Sequence, residues 1–161
     1  MDGAHLHLIL NHFPIVGTLV GLGVLAYGLI IKDLSVKKAG LGTLAVMAIL
    51  ALPAYFSGEE AEEAVEHLPG ISDAVIHEHE ELAEKAILMM AFLGGLSLLS
   101  LYAIWKNKTI AKTATIITFV FGLLTFGVFA KVGNLGGKIR HTELSTDIQK
   151  HDDVKKEYDD D

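Results

Sequence analysis

Cysteine is absent from the 161 residues. That excludes disulfides, iron–sulphur ligation, thiolate zinc sites and covalent attachment of c-type haem. Proline is scarce, with only Pro14, Pro53 and Pro69. Basic residues are also few, 13 Lys and Arg against 20 Asp and Glu, for a net charge of −7. Nucleic-acid binding is therefore not expected. No nucleophile–base pair and no phosphate-binding loop stands out, so the sequence points to a carrier or binding protein before an enzyme with its own substrate. The N-terminal "MDGAHLHL" has no Lys or Arg ahead of the first apolar segment, and no small-residue cleavage site follows it. The first apolar segment is thus expected to be retained.

Charge is missing altogether from four stretches: Phe13 to Ile31, Ala39 to Phe56, Ala86 to Trp105 and Thr113 to Ala130. Each is about 18 to 20 residues, the length that crosses a hydrocarbon core of roughly 30 Å as a helix. The expected fold is an all-α integral membrane protein, an up-down-up-down bundle of four transmembrane helices. Residues 1–141 form the bundle, and 142–161 form an acidic, flexible tail. Gly17, Gly21, Gly28, Gly94, Gly95, Ser97 and Ser100 are small residues suited to close helix packing in lipid.

The connections differ in charge. "KDLSVKK" (residues 32–38) and "KNKTIAK" (106–112) are Lys-rich, whereas Ser57 to Lys85 holds ten acids and one Lys. The positive-inside rule places the Lys-rich turns in the cytoplasm, and both termini and the acidic loop in the periplasm of a bacterial inner membrane. Pro14 fits the first turn of span one, while Pro53 is expected to kink or end span two. Ser57 and Glu60 have the spacing of a capping box, which would open a short separate helix over the bundle mouth. Pro69 and Gly70 break that helix, and the next begins near Ser72 or Asp73.

What the chain does have at that end is histidine. On this topology His5, His7, His12, His67, His77, His79, His141 and His151 all lie on the periplasmic side. His12 abuts span one, His77 and His79 open the helix of span three, His67 lies in the loop, and His141 follows span four. Ionisable groups near membrane depth mark a site by default, and neutral imidazole ligates iron, copper, nickel and zinc. His77 and His79 are two apart, so at most one of them faces the bundle. His7 and Asn11 share a face if the helix begins early. No Glu-x-x-His pair of a di-iron bundle and no zincin motif is present. Haem b needs only two imidazoles at no fixed spacing, and helix bundles commonly hold it.

The stretch "HLILNHFPI", with His7, His12 and then Phe13-Pro14-Ile15, resembles the opening of a bacterial four-helix membrane domain family of unknown function. The resemblance continues at "SGEEA" (Ser57, Gly58, Ala61), at "HEELA" (His79) and at "LGGK" (Gly136, Gly137), and covers most of residues 7 to 140. It implies a four-helix fold and supports His7, His12 and His79 as motif positions. Some relatives are attached to Rieske-type domains, which implies redox work. The sequence departs from the pattern after Gly137, where "KIRHTEL" follows, so His67 and His141 rest on their local setting.

These features give a leading expectation of a membrane electron carrier binding one or two haem b groups at its periplasmic end. His12 and His79 are the expected axial pair, with His7, His67 and His141 as further ligands. The alternatives are a protein binding Cu, Zn or Fe through His12, His79, His77 and His67, or an accessory subunit of a respiratory membrane complex. Expected partners are the lipid bilayer, a quinone, a periplasmic cytochrome or Rieske-type protein, and a second copy of the chain.

Overall fold

The computed structural model describes residues 3–65 and 72–159, with side chains described for residues 5, 7–63 and 72–139. Five helices follow in order: α1 (Gly3–Leu10), α2 (His12–Ile30), α3 (Leu34–Val65), α4 (Asp73–Trp105) and α5 (Ala111–Asp159). Four helical stretches are long and apolar enough to cross a membrane: His7–Ile30, Leu34–Glu63, Asp73–Trp105 and Ala111–Ile139. α2 packs on α3, α3 on α4, α4 on α5, and α5 returns to α2, which closes a four-membered ring with α2 and α4 across its diagonal. α1 continues the line of α2 and lies mainly against α3.

The break between α1 and α2 has a local cause. Pro14 has no N–H to offer the carbonyl of Leu10 one turn earlier, and its ring crowds that carbonyl. The chain nevertheless stays close to helical, since the Asn11 N–H donates to His7 O at 2.9 Å. At the far end the turns are tight. Lys32 takes φ 58° and Asn107 takes φ 50°. Asn107 suits that left-handed position, and the bonds Lys108 N–H to Ala103 O and Asn107 N–H to Ile104 O close a Schellman cap. Asp33 caps α3 by accepting from Val36 N–H at 2.9 Å.

The second span departs from expectation. α3 runs through Pro53 without ending and continues to Val65. Ser57 opens no new helix. Its hydroxyl instead donates to Ala54 O one turn back, at 3.0 Å, so the capping box with Glu60 does not form and the loop helix is the last part of α3. α4 does begin where expected, with Ser72 at its N-cap. α5 carries helix through His141 and on to Asp159, across the segment expected to be a separate tail.

The distribution of side chains inverts that of a water-soluble bundle. Thr18, Ser97, Ser100, Thr115, Thr118 and Thr125 are buried, together with Leu22, Leu25, Leu41, Leu44, Met90 and Leu93. The exterior carries Phe13, Val16, Leu19, Val20, Ile49, Phe92, Leu98, Ile117, Val120 and Leu124 among its exposed apolar residues. Small and hydroxyl-bearing residues inside, with large apolar ones outside, are what helices packed in lipid require. The interior hydroxyls mostly satisfy themselves: Ser97 donates to Leu93 O and Thr125 to Phe121 O, while Ser100 and Thr118 pair at 2.9 Å.

Candidate functional site

At the histidine end, two imidazoles turn inward. His7 lies on α1 and is part-buried; its Nδ1 is 2.9 Å from the carbonyl oxygen of Ala54 on α3. A carbonyl can only accept, so Nδ1 carries the proton and Nε2 keeps its lone pair. The Ser57 hydroxyl, 3.2 Å from the same Nδ1, braces the contact. His79 lies on α4 and makes the same arrangement with α5: its Nδ1 is 3.1 Å from Val132 O. Neither Nε2 takes a hydrogen bond among the described residues. A second-neighbour carbonyl on Nδ1 is how proteins fix the tautomer and direction of a metal-binding imidazole.

A glycine flanks each ring. A Cβ placed on Gly58 would lie 3.5 Å from His7 Cε1, and one on Gly136 would lie 3.3 Å from His79 Cε1. Gly58 is one turn past Ala54, and Gly136 is one turn past Val132. The unit of histidine, partner carbonyl and glycine thus occurs twice.

The repetition extends through the bundle. The buried residues of α2 are Pro14, Thr18, Gly21, Leu22, Leu25 and Gly28. At the interval that separates His7 from His79, α4 buries Ala86, Met90, Leu93, Gly94, Ser97 and Ser100. α3 and α5 correspond likewise: Gly40, Leu44, Ala51 and Ser57 are buried, as are Thr118, Gly122, Phe129 and Leu135. The chain is two helix pairs of like direction, each contributing one imidazole. The repeat is one of burial and not of size or identity, since Gly21 answers to Leu93, Leu44 to Gly122 and Ala51 to Phe129.

The other histidines fall elsewhere. His12 was the expected partner of His79, yet it is exposed, with its Nδ1 2.9 Å from Leu8 O on its own helical line. Among the described histidines, His7 and His79 are the ones whose Nδ1 bonds a carbonyl of another helix. The reason is helical phase: His7, Asn11, Pro14 and Thr18 share the inward stripe, while His12 shares a face with the exposed Val16 and Leu19. His77 is also exposed, 3.8 Å from Glu80 and 3.5 Å from Glu81. It borders a cleft of about 190 Å³ lined by Glu62, Asp73, Ile76 and Glu80. His5 is exposed, His67 lies outside the described residues, and so do the side chains of His141 and His151.

Among the described residues, no three or more His, Asp or Glu side chains are gathered as a ligand set for an ion. Two buried polar atoms lie on the stripe below His7 without a hydrogen-bond partner, Asn11 Oδ1 and Thr18 Oγ1. Comparison of the chain with family models, with curated proteins and with solved structures returns no match.

Proposed function

We propose that the chain is an integral membrane electron carrier that holds one haem b between His7 and His79. The observation that carries this reading is the matched pair of imidazoles from diagonal helices, each with Nδ1 bound to a carbonyl and Nε2 free. The donor chemistry fits the group. Haem asks the protein for two neutral imidazoles from separate helices, whereas a bare zinc or copper ion asks for three or four ligands. When bound, haem supplies a one-electron ferric–ferrous couple. The chain's own part is to hold the rings by their Nδ1 atoms, to keep water from them with α1 and the ends of α3 and α5, and to supply an apolar surround.

The Lys-rich turns support placing the opposite end in the cytoplasm, which puts the histidine end at the periplasmic face of a bacterial inner membrane. Electron exchange there suits a periplasmic cytochrome, a Rieske-type protein or a quinone. Purified protein is expected to show a Soret band that shifts on dithionite reduction, and a pyridine haemochrome of one haem b per chain. His7→Ala and His79→Ala should each abolish the reduced low-spin spectrum, while His12→Ala should keep it. A wild-type protein that takes up no porphyrin when haem is supplied rules the reading out. Bound metal without porphyrin would point instead to an ion-handling protein, and neither would point to an accessory subunit.

A further inference from the structure

The described glycines differ in what an added Cβ would meet: at Gly23, Gly42, Gly95, Gly127 and Gly137 it meets nothing within 4 Å. At Gly28 an added Cβ would sit 2.7 Å from the backbone nitrogen of Lys37, and at Gly40 it would sit 2.6 Å from that of Leu25. Packing alone demands glycine there. Gly58 is different. Among the described residues its Cβ would meet the His7 ring alone, at 3.5 Å from Cε1 and 3.7 Å from Nδ1, an ordinary contact. At Gly136 the contact is 3.3 Å, which a shift of a few tenths of an ångström relieves. A glycine inside a helix costs stability relative to alanine, and at Gly58 the protein's own packing does not call for that cost. What sets Gly58 and Gly136 apart from the open glycines is a contact with a histidine ring, which recurs at the same place in both halves. Both glycines border Cε1, the carbon between the two ring nitrogens, with Nδ1 the next nearest atom.

We infer that Gly58 and Gly136 are clearance positions, which keep the backbone of α3 and α5 open to the face of a porphyrin bound at Nε2 of His7 and His79. This rests on the haem reading and adds the requirement for a broad flat ligand in place of a small ion. A small ion at Nε2 would have no use for space alongside Cε1. A macrocycle extends well past its axial ligands and must pass the neighbouring helix, where a missing side chain lets it approach the backbone.

The test uses the full-length chain in detergent, stripped of haem and titrated with haemin, with melting of the haem-free protein followed in parallel. Gly58→Ala is expected to melt at the wild-type temperature or above it, yet to bind haemin about tenfold more weakly or worse, as overlap with an added methyl implies. Gly136→Ala should weaken binding at least as much. Gly127→Ala, on α5 with nothing within 4 Å of the new Cβ, should bind as wild type. Two results overturn the inference: wild-type haemin affinity in Gly58→Ala, or a haem-free Gly58→Ala protein that melts well below wild type, since the glycine then serves to seat the imidazole. A wild-type chain that binds no haemin removes the haem reading along with it, so the two failures are distinct.

Discussion

Thr18 is fully buried, and its hydroxyl has no hydrogen-bond partner among the described residues. Thr115 and Thr125 in the other half donate to the carbonyl one turn back, as does Ser97. A buried hydroxyl left unpaired costs more than the same volume of hydrocarbon. Thr18→Val should therefore stabilise the protein by about 1 kcal/mol, measured by unfolding in mixed micelles. A loss of stability instead would mean that the hydroxyl has a partner in the working protein. Choosing between His7 and His12 was a question at this same scale. The sequence made a cluster of histidines at one end of the apolar runs legible, but not which of them bonds across to another helix. Choosing the right one needs the helical phase, and Pro14 with Asn11 obscures where the helix starts. Projected from the buried residues Gly21, Leu25 and Gly28 back toward the N-terminus, the inward stripe passes through Thr18 and Asn11 to His7. On α4 the phase was easier to read, because Ser97 and Ser100 fix the inward face without an interruption before His79.

Helices α2 and α3 cross most closely where Gly28 meets Lys37 and Gly40 meets Leu25. Gly40→Ala must force the two backbones apart and should destabilise by roughly 1–3 kcal/mol. Gly42→Ala, with open space at its Cβ, should gain up to about 1 kcal/mol from helix propensity. The difference between two substitutions two residues apart, read by thermal melting in one detergent, checks the crossing. The four apolar runs were legible because helices long and apolar enough to cross a membrane need such lengths without charge. The continuation of the helices beyond those charge-free runs was not. Pro53 and Ser57 read locally as a stop and a start, and both signals are overridden by packing. α1 lies on α3 there, Ala54 and Ser57 are buried beneath it, and Ala54 O receives both His7 and Ser57. None of that is visible in a window of a few residues.

For the whole molecule, orientation is the property most open to a direct check. The chain has no cysteine to interfere, so single cysteines report cleanly. Glu60→Cys should react with a membrane-impermeant maleimide in intact cells, and Lys108→Cys only after permeabilisation; the reverse labelling would invert the topology. The doubled architecture makes a further prediction. Each half carries its own helix pair and its own imidazole, and the halves meet along the α3–α4 and α2–α5 seams. Co-expressed fragments cut between α3 and α4 should co-purify and recover the haem spectrum, whereas either fragment alone should not. The two halves follow one burial pattern and differ in what fills it. Asn11 and Thr18 stand in the first half where Ala83 and Met90 stand in the second, so polarity has accumulated on one flank of an otherwise balanced centre.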